Sequence, residues 1–105
     1  MLELTDDNFE KEIKSHKGLS IVDFWAAWCG PCRMMGPIFE EAEGDNKGLA
    51  KFAKLDVDGA PKTSKEYDVM SIPTLIIFKD GEEVEQMRGV QDAHTIKAKL
   101  KAHKG

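Results

Sequence analysis

The chain has 105 residues, 41% of them hydrophobic and 32% charged, with a formal net charge of −4. That is the length of one domain, residues 1–105, able to bury roughly two-thirds of its unfolded surface. The balance excludes a disordered chain, no apolar run is long enough for a membrane-spanning helix, and an acidic chain lacks the field that nucleic acid or an anionic membrane requires. The expectation is therefore no nucleic acid, no membrane and a monomer. Residues 1–58 carry 7 Lys/Arg against 12 Asp/Glu, and residues 59–105 carry 8 against 7. The basic excess at Lys97, Lys99, Lys101 and Lys104 reads as a solvated helix end complementing its own dipole. Glu3, Asp6 and Asp7 follow Met1, where a signal peptide needs positive charge and an apolar stretch. The expected location is cytoplasmic, although a mature chain cut from a precursor would read the same.

Leu2 to Leu4 reads as a short first strand. Thr5 and Asp6 are N-cap candidates for a helix whose buried face holds Phe9 and Ile13, with Gly18 at its end. Ser20 to Ala26 is almost continuously apolar, the pattern of a central strand covered on both faces. Met35, Ile38, Phe39 and Ala42 repeat at helical spacing and predict a helix from about Cys32 to Glu43. Pro37 lies inside it, removes a donor and is expected to kink it. Gly44 to Gly48 reads as a loop and Lys51 to Val57 as a strand. Asp58 is expected to cap a short helix with Pro61 in its first turn and Tyr67 near its end. Thr74 to Phe78 is the next strand. Asp80-Gly81 signals a type I′ hairpin, and Glu82 to Arg88 is polar enough for an edge strand. Asp92 caps a last helix whose inner face is Ala93, Ile96 and Leu100. The order predicts a three-layer α/β/α domain: a central mixed five-stranded sheet flanked by four helices, with parallel strands in its first half.

Cys29 and Cys32, the only cysteines, fall where the central strand feeds the long helix. Folds of this class place their sites at such strand ends. Residues i and i+3 of a first helical turn lie about 5–6 Å apart, within reach of a disulfide. So short a loop makes a poor staple, which argues against a stability role. Cys29 lies just before the helix, where free amides and the dipole favour an anion, so it is expected to attack. Cys32, one turn inside and expected to be less exposed, resolves. Gly30 permits the tight turn and Pro31 presets φ. Half a zinc site is the rival reading. It would need His16, His94 or His103 to complete it, and none stands at metal spacing. Inert core cysteines are a second rival, which the Gly-Pro insert opposes.

Asp23 is a lone carboxylate in an apolar strand. Burial raises its pKa, and Lys54 on the neighbouring strand is the obvious partner. A carboxyl beneath the thiol pair suits a proton acceptor for the buried thiol. Trp25 is expected in the core, Trp28 partly exposed on a docking surface, and the histidines on the surface. X-Pro bonds are cis in only about 5–6% of folded cases, so Ile72-Pro73 reads as trans on the residues alone.

Trp28-Cys29-Gly30-Pro31-Cys32 after an apolar strand containing Asp resembles the thioredoxin family. So do Lys54-Leu55-Asp56-Val57-Asp58, Val69-Met70-Ser71-Ile72-Pro73-Thr74, Phe78-Lys79-Asp80-Gly81 and Gly89. They stand in family order over essentially the whole chain. The resemblance implies a thioredoxin fold and a protein-disulfide reductase that carries electrons through a Cys29–Cys32 disulfide, with no bound cofactor. It implies a cis Pro73 against the cysteines, and Asp23 with Lys54 as a buried proton-handling pair. Trp28, Gly30, Pro31, Ile72, Pro73, Gly89 and Val90 would form the docking surface. The implied partners are a thioredoxin reductase, using NADPH or ferredoxin, and disulfide-containing target proteins. A disulfide isomerase or oxidant on the same fold, and a binding subunit without turnover, remain as alternatives. Gly36 departs from a frequent alanine and Val90 from a frequently smaller residue.

Overall fold

A computed structural model describes residues 1–105. Its five strands are β1 (Leu2–Leu4), β2 (Leu19–Trp25), β3 (Ala50–Asp56), β4 (Thr74–Lys79) and β5 (Glu82–Arg88). They form one sheet in the order β1-β3-β2-β4-β5. β3 runs parallel to both β1 and β2, whereas β4 is antiparallel to β2 and β5. The sheet is mixed, as the element order predicts. The helices are α1 (Gly30–Asp45), α2 (Pro61–Glu66) and α3 (Ala93–His103), with a short π-type segment at Glu10–Lys14.

Alternation along the strands divides the core into two layers. Leu19, Ile21, Leu75 and Ile77 pack with Met35, Phe39 and Ala42 of α1 and Ile96 and Leu100 of α3. Val22, Phe24, Ile76 and Phe78 pack on the other face with Phe9, Ile13 and Ala60. β2 and β4 are thus covered on both sides, which explains their unbroken apolar runs. β5 lies at the edge. Its pairing with β4 shifts register between Ile77 and Phe78, which leaves Val84 outside the ladder. A bulge on a glutamate-rich edge discourages pairing with another chain.

Several local expectations need correction. The first helix is shorter than its apolar spacing suggests. Thr5 does not cap the segment itself, whose N-cap is Phe9, but closes the turn that leads into it, with Asn8 N donating to Thr5 Oγ1 and Thr5 N to Asn8 Oδ1. The segment ends at Ser15, whose N–H reaches back to Glu10 O in a π-type bond. Gly18 lies beyond it, at φ 91°. α1 continues through Pro37 as far as Asp45, so Gly44 and Asp45 are helical and the turn begins at Asn46. Asp58 does not cap α2. Ala60 occupies the N-cap with no side-chain acceptor. Asp6 supplies it instead, accepting from Thr63 N at 2.8 Å and Lys62 N at 3.3 Å. Asp92 does cap α3, accepting from Thr95 N at 2.7 Å. His103 is only half-exposed and pairs with Glu85 on β5.

The hairpin forms as its sequence demands, with Asp80 at φ 53° and Gly81 at φ 86°. Asp80 also closes the loop before β2. Its carboxylate accepts from Gly18 N, and its own N–H donates to Gly18 O. This seats Gly81 against the end of the π-type segment, where a Cβ would run into the carbonyl oxygen of Lys14. Gly81→Ala should therefore lose about 2–4 kcal/mol, combining a left-handed φ with overpacking. Denaturant unfolding of the variant checks this.

Candidate redox site

β2 is buried along almost its whole length, so its exit point is fixed. The chain leaves Trp25, turns through Ala26 to Trp28, and enters α1 with Cys29 as the N-cap. Pro31 stands in the first turn, where no donor is missed. Cys29 and Cys32 are joined by a disulfide, with their Cα atoms 5.3 Å apart. The Cys29 sulfur occupies the capping acceptor's place. The Cys32 amide donates to it at 3.2 Å, and the carbonyl oxygen of Ile72 lies 3.8 Å away. The Ile72–Pro73 bond is cis, as the family resemblance implies and the residues alone did not.

The expected difference in cysteine exposure is absent. Cys29 is 4% exposed and Cys32 6%. The two differ in their surroundings instead. Cys29 holds the helix terminus, whereas Cys32 lines a half-open cavity of about 330 Å³. Asp23 and Trp25 of β2, Lys54 of β3, and Arg33 and Gly36 of α1 also line that cavity. Asp23 reaches it because it shares the strand face of Leu19 and Ile21, beneath α1.

Asp23 is 4% exposed, and its Oδ1 has no hydrogen-bond partner in the protein. Lys54 stands opposite it in the β2–β3 register. The expected ion pair is nonetheless absent, because Lys54 Nζ lies over the Trp25 ring, 4.9 Å from its centroid. Its charge acts on Asp23 only at a distance. Burial pushes the Asp23 carboxyl up to about 7, and Lys54 opposes this only in part. Trp25, expected in the core, is only partly buried and serves as the platform for Lys54.

The surface around the disulfide is apolar and shallow. Trp28 is 69% exposed and Met70 87%. They border a groove with Val57, Val69, Ser71 and Ile72. Gly30, Pro31 and Val90 are exposed and Gly89 half-buried, whereas Pro73 is buried and so contributes less surface than expected. Gly89 N donates to Pro73 O at 2.8 Å, and Gln91 N to the sulfur of Met35 at 3.4 Å. These bonds tie the Gly89-Val90-Gln91 loop to the residue after Ile72 and to α1. Sequence reasoning missed three contributors: Met70, Met35 and Asp58. Asp58 Oδ2 accepts from the Trp28 indole N–H at 2.8 Å and so fixes that ring. No local pattern announces that bond.

No group of three or more His, Cys, Asp and Glu is placed to hold a metal ion. No helix is long and apolar enough to cross a membrane. A dithiol–disulfide pair at a helix N-terminus, at the carboxyl end of a central strand, defines a thiol-disulfide oxidoreductase. The family model described as Thioredoxin matches residues 1–102. The chain is 48% identical over 103 residues to a thioredoxin of Staphylococcus saprophyticus, covering 98% of this chain and 97% of that one. It is 50% identical to thioredoxin 2 of Chlorobaculum tepidum, covering 98% and 94%. The chain belongs to the thioredoxin family. Its activity is protein-disulfide reduction by reversible dithiol–disulfide exchange.

The buried carboxylate makes a prediction about stability. Asp23 titrates near 7 when folded, against an ordinary value of 3.8. Through that interval the folded state binds more protons than the unfolded one. The contribution of Asp23 to stability is therefore highest below about pH 4, falls as pH rises towards 7, and stays reduced above it. Asp23→Asn removes the buried charge. It should be more stable than wild type at pH 8, by on the order of 3 kcal/mol, with the advantage shrinking towards pH 4. Denaturant unfolding at both pH values measures the difference.

Proposed function

We propose that Cys29 is the attacking thiolate and Cys32 the resolving thiol. The observation that carries this is the Cys32 amide donating to the Cys29 sulfur at the start of α1. A helix N-terminus with an amide aimed at sulfur favours the anion there. The Cys29 thiolate attacks one sulfur of a target's disulfide. A Cys29–target bond forms, the target's own S–S bond breaks, and its other sulfur leaves as a thiolate. Cys32 then gives its proton to the Asp23 carboxylate across their shared cavity. The Cys32 thiolate attacks the Cys29 sulfur, closing Cys29–Cys32 and expelling the second target thiolate. Two electrons have passed to the target, and the departing thiolates take up protons from solvent or from Asp23. Lys54 acts as a fixed charge that keeps ionised Asp23 accessible near neutral pH.

Trp28, Ile72, Pro73, Gly89 and Val90 form the surface that docks partners, with Gly30 and Pro31 shaping its rim. Exposed apolar side chains grouped around the disulfide support that reading. A thioredoxin reductase, drawing on NADPH or ferredoxin, would return the two electrons. Residues 1–105 act as one domain and a monomer, needing no bound cofactor beyond the Cys29–Cys32 disulfide. A dithiol that must stay reduced belongs in the cytoplasm, where thiols are kept reduced.

Trapping separates the two roles. Cys32→Ser should accumulate mixed disulfides with a disulfide-bonded substrate such as insulin, because nothing resolves them. Cys29→Ser should accumulate almost none at neutral pH. Non-reducing electrophoresis of the two reactions gives the answer, and equal trapping would end the assignment.

A further inference from the structure

Gly36 is the one cavity-lining residue that helix physics does not favour. It lies in the interior of α1, where glycine destabilises relative to alanine. Nothing packed against the helix there requires glycine. Leaving aside its chain neighbours, Pro37 among them, and the helix's own backbone, a Cβ built there meets no atom within 4 Å, and its φ is not in the left-handed region. The close approach and special turn that explain Gly81 are both missing.

Its position suggests another reason. Gly36 follows Cys32 by four residues, so the two share a helix face. Both look onto the cavity that holds Asp23. The cavity, at about 330 Å³, has polar walls in Asp23, Lys54 and Arg33. A water occupies about 30 Å³ of liquid, so several fit, with polar partners to bind them. Asp23 Oδ1, buried without a protein partner, is an acceptor that such water can serve.

We propose that Gly36 is a positioning residue whose missing side chain keeps the cavity wide enough for water to link the Cys32 thiol to the Asp23 carboxylate. The proposal rests on the reading of Asp23 as the proton acceptor. A side chain at position 36 narrows the wet space, strips solvent from the carboxylate and lengthens the route of the proton. Desolvation disfavours the charged form, so Asp23 would be ionised only at higher pH. The other groups facing Asp23 are unchanged by the substitution: Lys54 on β3, Arg33 and Cys32 on α1, and the apolar Leu75 opposite it on β4. The cost in helix stability is the counterpart of a wider proton route.

The test is stopped-flow reaction of the reduced protein with dithiobis-nitrobenzoate. Attack by Cys29 frees the first thionitrobenzoate and resolution by Cys32 frees the second. Gly36→Ala and Gly36→Val are compared with wild type across pH, each also combined with Asp23→Asn. Second-phase release should slow by about threefold in Gly36→Ala and about tenfold in Gly36→Val, within the range a positioned proton acceptor supplies. Its pH midpoint should move upward, and carbon-13 NMR of the Asp23 carboxyl should move with it. Gly36→Ala should also unfold at higher denaturant than wild type, which removes misfolding as the cause. In the Asp23→Asn background the substitutions at 36 should have no effect on release. Equal slowing in both backgrounds overturns the proposal and leaves Asp23 in its role. So does unchanged release in both Gly36 variants while Asp23→Asn alone is slow. Release from Asp23→Asn as fast as wild type overturns the proton-acceptor reading itself, and this proposal with it.

Discussion

The amides of a helix's first turn have no partner inside the helix, and everything at this site follows from how α1 meets that requirement. Serine, threonine, aspartate or asparagine usually supplies the acceptor. Here the acceptor is the sulfur of Cys29. A neutral sulfur is a weak acceptor and a thiolate a much better one, so the helix gains most when Cys29 is ionised. The arrangement works only because the strand and the helix are each immobilised by other contacts. β2 is buried on both faces, and α1 is held through Met35, Phe39 and Ala42 in the larger core cluster. The junction between them has little freedom, and the reactive pair inherits that rigidity.

The same geometry forces the cost beneath it. Alternation along β2 that turns Leu19 and Ile21 towards α1 also turns Asp23 there. A carboxylate at that position is almost fully buried, and Lys54 leans onto Trp25 instead of touching it. A contact ion pair would hold Asp23 ionised well below neutrality. Burial raises its proton affinity and Lys54, at a distance, opposes this only in part, which suits the proposed proton acceptor. Local rules for a stable core are broken at a single strand position, and the reacting groups gather at that position.

What the sequence carries clearly is whatever neighbours in the chain decide. The two-sided strands, the Asp92 cap, the Asp80-Gly81 hairpin and the cysteine N-cap are all contests among adjacent residues. Contacts between distant residues were not legible. Asp58 stands two residues before the N-cap of α2 and reads as its capping residue, yet it holds the indole of Trp28, thirty residues away. The α2 cap comes from Asp6, fifty-seven residues before Thr63. Both carboxylates look like local capping residues, because a cap needs only an oxygen aimed at an amide, whatever its place in the chain. Lys54 acts on Asp23 without a contact ion pair for a different reason. Its place on the neighbouring strand was predictable, but a long lysine stem can choose an aromatic face over a carboxylate, and only packing decides.

The proposed docking surface joins these long-range contacts to the chemistry. Its parts come from four separate stretches of chain: the turn at Trp28, the start of α1, the segment Met70 to Pro73, and the loop at Gly89 to Gln91. Each is fastened by a bond to a distant residue. Asp58 holds Trp28, Pro73 O holds Gly89, and Met35 holds Gln91. These bonds fix the Trp28 ring and the backbone at Gly89 and Gln91 while leaving Trp28, Met70 and Val90 exposed. A rigid frame that presents a fixed amphipathic ring at Trp28 and a flexible thioether at Met70 suits the proposed docking of partner proteins. On the proposed reading, selectivity then falls less on the shape of the surface than on access to Cys29. Its sulfur is almost fully buried, so a target must bring its disulfide down to the floor of the surface before exchange can begin. A disulfide carried on an extended or locally unfolded segment can do this, and one held flat within a rigid core cannot.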